Sequence, residues 1–438
     1  MNLTTTRSAI SLLLIICIQS SFARTEEVLM DFSFSKKSRS QITIKHPLVY
    51  DSKKGYGFDL GTEGSVTIVK NKKGYLSSNK PFYFSAQVPE GNYKVTITYK
   101  NIGKVYSSTV RSESKRLQLE HEKIDHQTGL QRSFVVHIKN PEISAGRVVG
   151  LKKPREVEKL DWDNKLTLEF QGENHIERIR IEKVNDVVTV FLAGNSTVVN
   201  QEDEPWASWG QMIPRFFDTH VAVANHAESG LALESFLSSR RLEKILSIVK
   251  PGDYLFVEFG HNDQKEQGEN AGAYKSYSER LRLFVNEFRS KGGVPVIVTS
   301  TARRSFDADG KLIHTLGDFP DAARKVAAAL QVPLIDLNAM TSVFYTALGV
   351  EGSKNALVHY PANTFPGQVE ALQDNTHFNT YGAYQIAKMV LQGIVSNDIG
   401  LREYLIDFKG YDPAHPDPFQ DWFWPLSGKN SVVKPDGN

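Results

Sequence analysis

The stretch Val187-Val188-Thr189-Val190-Phe191-Leu192-Ala193-Gly194-Asn195-Ser196-Thr197 decides the fold. Seven β-branched and apolar residues read as a buried strand, and Gly-Asn-Ser-Thr stops it. A serine just past the C-terminal end of a parallel strand sits where open α/β sheets place their ligands. Taken alone, the stretch favours a plainer reading, a turn in which Ser196 caps the next helix. The standing of Ser196 therefore depends on partners elsewhere in the chain.

From this strand onward, apolar runs at 187–193, 221–225, 253–259, 294–300 and 332–337 alternate with helical segments at 231–249, 274–291 and 321–330. Continuous strands separated by helices imply a parallel sheet covered on both faces and built from right-handed βαβ units. The expected plan is a doubly wound, flavodoxin-like α/β/α domain over residues 186–400, with its site at the C-terminal strand ends. Four polar clusters fall at that edge: Gly194-Asn195-Ser196-Thr197, then the segment ending Glu228-Ser229-Gly230, then Gly260-His261-Asn262-Asp263, and finally Asp374-Asn375-Thr376-His377 before a helix at 383–395. Singly, each has a structural explanation, such as a loop glycine or a helix-flanking histidine. Together, at one edge, they point to acyl transfer. A serine hydroxyl is a weak nucleophile and needs a positioned base, which His377 supplies. Asp374, three residues earlier on what reads as the same loop, holds that ring in one tautomer. Backbone N–H groups of Ser196 and Gly230, with the Asn262 side-chain amide, are the expected oxyanion donors.

These blocks resemble the SGNH, or GDSL-type, hydrolase superfamily, with a serine after the first strand, a glycine after the second, an asparagine after the third and a late Asp-x-x-His. Within it, Phe191–Val199, Trp206-Ala207-Ser208-Trp209-Gly210-Gln211 and the run from Asp374 to Ala383 are similar to rhamnogalacturonan acetylesterases. The resemblance implies Ser196, His377 and Asp374 as catalytic residues, O-acetyl groups on an acetylated polysaccharide as substrate, and neither an organic cofactor nor a metal. The family commonly has aspartate between the glycine and the serine, where this chain has Asn195. Two other readings stay open at this point: an esterase of xylan or other acyl esters, and a glycan-binding protein with a degenerate esterase domain.

Arg303 and Arg304 follow the fourth strand onto the same edge, where a planar guanidinium suits a uronate carboxylate. An internal salt bridge that shapes the loop is an equal alternative. His261 is a further candidate for substrate contact. His226, His261 and His359 lack the close spacing of metal ligands, so no metal site is expected.

The half before this domain reads differently. Between residues 24 and 185, short alternating runs such as Tyr93-Lys94-Val95-Thr96-Ile97-Thr98-Tyr99 follow turn signals without intervening helices, which predicts a β-sandwich. The Pro-Glu-Gly-Asn-Tyr-Lys-Val-Thr-Ile run resembles galactose-binding-like jelly-roll modules. Tyr56, Phe58 and Trp162 are read as packing, not as a sugar site. At the N-terminus, Arg7, an apolar run at 9–18 and Ser21-Phe22-Ala23 predict a signal peptide over 1–23, cleaved after Ala23, and hence a periplasmic or extracellular protein. No other segment approaches the length of a membrane span.

The 438 residues suit two domains. With 52 Lys and Arg against 50 Asp and Glu and no polybasic block, nucleic acid is not an expected partner. The single cysteine, Cys17, falls in the expected leader, so disulfides, a cysteine nucleophile and thiolate metal sites are excluded from the mature chain. The tail, 401–438, is rich in proline and aromatics and is expected to pack along a domain surface, with its last residues, 428–438, loose. Oligomeric state is left open.

Overall fold

The computed structural model describes residues 27–34, 41–70, 74–125, 130–429 and 432–436. The expected leader lies outside the described residues. In the N-terminal half two sheets pack face to face. One contains Gln131–Ile138, Gly91–Tyr99, Asn174–Val184 and Glu27–Ser33; the other contains Tyr56–Asp59, Phe82–Gln87, Lys165–Gly172, Tyr106–Ser112 and Arg116–Ile124. The alternation read from sequence produces the core directly. Tyr93, Val95, Ile97 and Tyr99 of one strand are fully buried, and Phe32 meets Phe84 edge-on at 4.9 Å across the two sheets. Phe58 and Trp162 are buried, as their packing reading requires.

The second half forms a five-stranded parallel sheet in the order Val221–Asn225, Val188–Gly194, Tyr254–Phe259, Val294–Thr299, Leu334–Ile335. In chain order this is 2-1-3-4-5, the flavodoxin-like arrangement. The first strand lies between the second and third, so the turn that carries Ser196 leaves the sheet at its topological switch point. Valine, phenylalanine and leucine side chains alternate to opposite faces of this strand. Val190 and Leu192 join one core cluster and Phe191 and Ala193 the other.

Four local expectations need correction. The helix expected over 231–249 is two helices, Leu233–Ser238 and Arg241–Ile248. Arg240 between them is left-handed. The next residue, Arg241, is drawn into the interior by Glu156 at 2.5 Å and the His226 carbonyl at 3.1 Å. A helix at Leu337–Gly352, capped by the Asp336 carboxylate on the Ala339 N–H, was not anticipated. Asp374 and His377 lie on a strand, Leu372–Phe378, paired antiparallel with Leu357–Tyr360, and not on a loop. The end of the tail is not loose where it is described. Ser427 is buried, Lys429 pairs with Glu202, and Asp436 reaches Lys152 at 3.3 Å and Arg155 at 3.6 Å. Upstream of it, Tyr411, Trp422 and Trp424 pack against the α/β core, as the tail's composition suggested.

Candidate active site

The structure brings Ser196, His377 and Asp374 into one hydrogen-bonded row although 178 residues separate the serine from the aspartate in sequence. His377 Nε2 lies 2.8 Å from Ser196 Oγ, and His377 Nδ1 lies 2.7 Å from Asp374 Oδ2. A carboxylate only accepts, so Nδ1 carries the hydrogen and Nε2 is left to accept from the serine hydroxyl. All three side chains are buried. Burial alone would raise the Asp374 carboxyl. The bond to His377, its positive charge when protonated and the backbone N–H groups of Thr376 and His377 outweigh that effect and hold it well below its ordinary value.

The strand that bears Asp374 and His377 is what aims them. Its pairing with Leu357–Tyr360 and the bridge between Ala207 and Phe378 fix its height above the sheet. Ser196 is held from below: Val198 and Val199 N–H groups both donate to the Asn195 carbonyl, and Gln201 Nε2 donates to the Ser196 carbonyl at 3.0 Å. A side chain at Gly194 would collide with Val198, which explains a glycine at the strand's last position.

The expected oxyanion donors sit on three separate segments. Among the described residues the N–H groups of Ser196 and Gly230 make no backbone hydrogen bond. Gly230 has φ +77°, a conformation that favours glycine. Asn262 Nδ2 spends one hydrogen on the Leu231 carbonyl at 3.0 Å, which fixes the amide and leaves its second hydrogen to donate elsewhere.

The three proposed substrate contacts fare differently. Arg304 donates to three groups of the protein, Ser353 Oγ at 2.9 Å, Asn375 Oδ1 at 2.9 Å and the Val350 carbonyl at 2.5 Å. These bonds tie it to the loop. His261 is 3% exposed, and Nε2 donates to the Thr301 carbonyl at 2.9 Å. Burial and the nearby Arg303 cation hold its pKa down at about 3, so the ring is neutral. Arg303 alone faces a cavity, of about 330 Å³, shared with His314, Arg324 and Asn338. Its guanidinium touches the His261 carbonyl at 3.3 Å and, with the Gln264 amide oxygen turned toward it, Oε1 at 2.9 Å. No carboxylate pairs with it among the described residues.

Several supporting residues were not identified from sequence. Trp206 Nε1 lies 3.4 Å from Asp374 Oδ2, a second donor to the oxygen that receives His377. Trp209 Nε1 donates to Glu258 Oε2 at 2.6 Å beneath the Ser196 turn. Both tryptophans belong to the Trp206–Gln211 block, whose signal in the sequence was the density of aromatic and polar residues so soon after the serine. The sandwich half also contributes. Arg111 and Lys115 approach Glu204 at 3.7 and 3.6 Å, two residues before Trp206. Lys159 meets Glu228 at 2.9 Å, two residues before Gly230. Among the described residues no group of three His, Cys, Asp or Glu side chains could hold a metal ion, and no helix is long and apolar enough to cross a membrane.

Residues 182–383 match the GDSL-like Lipase/Acylhydrolase family. The chain is 42% identical to the rhamnogalacturonan acetylesterase RhgT of Bacillus subtilis (strain 168) over 225 residues, 51% of this chain and 96% of RhgT. It is 32% identical to the probable rhamnogalacturonan acetylesterase YesY of the same organism, over 50% of this chain and 97% of YesY. A crystal structure of the Bacillus subtilis protein YxiM, 23% identical, covers 85% of this chain and 99% of its own, with a TM-score of 0.45. The chain thus belongs to the GDSL-like lipase/acylhydrolase family, the SGNH hydrolases, and is a serine carboxylic ester hydrolase.

Proposed function

We propose that the protein removes O-acetyl groups from acetylated pectic rhamnogalacturonan outside the cell, by an acyl-enzyme route through Ser196. The observation that carries this reading is the Ser196–His377–Asp374 row, with consecutive distances of 2.8 and 2.7 Å. Ser196 Oγ attacks the acetyl carbonyl while His377 Nε2 takes its proton. Asp374 stabilises the imidazolium without itself becoming protonated. The oxyanion of the tetrahedral intermediate receives the Ser196 and Gly230 N–H groups and the second Asn262 amide hydrogen. The bond from the acetyl carbon to the sugar oxygen then breaks, and His377 returns the proton to that oxygen. Water repeats the sequence on the acetyl-serine and releases acetate.

The substrate reading is supported by the likeness to RhgT, a rhamnogalacturonan acetylesterase, and to YesY, a probable one, and by Arg303, a cation that lies against the His261 carbonyl with no carboxylate ion pair among the described residues. A uronate carboxylate of the polysaccharide supplies that partner. The expected leader carries the protein to such a substrate. The test is free acetate measured from acetylated rhamnogalacturonan, acetylated xylan and esters of longer acyl chains. Preferential release from rhamnogalacturonan is the expected result. Preference for xylan or for long acyl chains would overturn the substrate assignment.

A further inference from the structure

Beneath the nucleophile lies a buried carboxyl group that the acyl-transfer scheme does not use. Glu258 is the penultimate residue of the third strand, two residues before Gly260, and is fully buried. Oε2 accepts from the Trp209 indole at 2.6 Å, and Oε1 lies 2.9 Å from Thr197 Oγ1. The Thr301 N–H is a third partner. No cation pairs with it among the described residues.

Counting hydrogens decides its state. Thr197 Oγ1 lies 2.9 Å from two oxygens, Glu258 Oε1 and Asn195 Oδ1. The Asn195 amide cannot be turned to donate instead, because its Oδ1 is the acceptor for the Thr197 backbone N–H at 3.1 Å. A hydroxyl has one hydrogen and can satisfy only one of two acceptors. Both short contacts are hydrogen bonds only if Glu258 carries a proton and gives it to Thr197, which then gives its own to Asn195.

We propose that Glu258 is a positioning residue that works as a neutral acid: its proton completes a chain from Glu258 to Thr197 to Asn195 that locks the turn presenting Ser196 to His377. An ionised carboxylate would be buried without a counter-charge, at a cost the group escapes by staying protonated. Burial pushes its pKa up to about 7 in accord with this arrangement. The groups facing it from the serine turn, from the Trp209 helix and from the end of the fourth strand are Thr197, Trp209 and Thr301, none of which titrates. Tyr277, itself buried and bonded to the Phe259 carbonyl, is the ionisable side chain that senses its charge. Asn195 acquires a role as well, since an amide oxygen terminates the chain without placing a second acid on the same hydroxyl.

Glutamine matches the proposed acid in shape and in the two bonds that matter, one N–H toward Thr197 and its oxygen toward Trp209, with one further hydrogen on the nitrogen. The test is Glu258→Gln, read by melting temperature and by infrared difference spectra against wild type from about pH 5 to about pH 9. In wild type, a protonated-carboxyl band absent from the variant should fade as pH rises through about 7. Because the folded-state value is raised, wild type should lose stability relative to the variant as pH rises from about 4.5 to about 7 and no further above that. Turnover of a small acetyl ester at about pH 6 should stay within about threefold of wild type, since no hydrogen bond is lost. A missing band, a variant that does not fold, or a loss of turnover beyond about tenfold would each overturn the proposal, because each means that the carboxylate form is required. The inference rests on Ser196 being the nucleophile. Its spectral and melting readouts need no substrate, so a wrong substrate assignment would leave them unchanged.

Discussion

The indole N–H of Trp206 is directed at Asp374 Oδ2 over 3.4 Å, the same oxygen that receives His377 Nδ1 at 2.7 Å. Asp374 is therefore held from two elements, its own strand and the segment that follows the serine turn. Trp206→Phe keeps the ring and removes the donor. A hydrogen bond to a charged group contributes about 1.5–3 kcal/mol, and this long one belongs at the low end, so kcat should fall about tenfold. KM should stay unchanged, because the bond touches no substrate. Steady-state kinetics on a small acetyl ester separates the two constants.

The linkage of Asp374 to stability has a definite sign. Its carboxyl is held below the ordinary value of 3.8, so its ionised form contributes stability above about pH 4 that is lost as pH falls toward the depressed folded value. The melting-temperature advantage of wild type over Asp374→Asn should therefore shrink on acidification below about pH 4. The same variant should lose about 10⁴ in kcat, because the asparagine amide favours the wrong tautomer of His377.

Arg303 and Arg304 are adjacent but should respond in opposite ways. Arg304→Ala removes three internal bonds and should cost about 2 kcal/mol in urea unfolding, with KM for the polysaccharide little changed. Arg303→Ala should leave stability nearly intact and raise KM for an acidic glycan several-fold, with no effect on a neutral acetyl ester. Equal effects on both esters would remove Arg303 from carboxylate recognition.

Glu204 ties the two halves of the chain together. It accepts from Trp424 Nε1 at 2.9 Å and the Ser427 N–H at 3.1 Å, with Arg111 and Lys115 close by. Glu204→Ala removes the carboxylate that Lys115 pairs with and one of the two beside Arg111, which keeps Glu169 at 3.4 Å, and the expected loss is about 3 kcal/mol. Loosening of the Trp206 segment should lower kcat alongside it. Urea unfolding followed by tryptophan fluorescence reports both domains and the tail at once.

How much of this was legible in the sequence follows from how each part is specified. The parallel sheet and the four polar strand ends were readable, because buried strands are continuous apolar runs and their polar stops are abrupt, as at Phe259-Gly260 and Ala193-Gly194. Ser196, His377 and Asp374 could be paired because the topology leaves one edge for ligands. The strand carrying Asp374 was read as a loop because Asp-Asn-Thr-His lacks apolar alternation; tertiary pairing with Leu357–Tyr360 overrides that local preference. The break at Arg240 depends on a long-range partner, Glu156, which no local pattern announces. Arg304, Trp206 and Glu258 share that cause: their hydrogen-bond partners lie 43 or more residues away, and only the folded chain identifies them. Asn195 stood out as a departure from the family pattern, and its meaning emerged only once Thr197 and Glu258 were seen around it.

The central claim is that Ser196 Oγ is the nucleophile. The most direct measurement is acetate released from acetylated rhamnogalacturonan by wild type and by Ser196→Ala, prepared side by side and matched in melting temperature. The account predicts that the variant folds and loses turnover by about 10⁴-fold or more, leaving only what the oxyanion donors and binding supply. A folded variant that releases acetate at a rate close to wild type would contradict it.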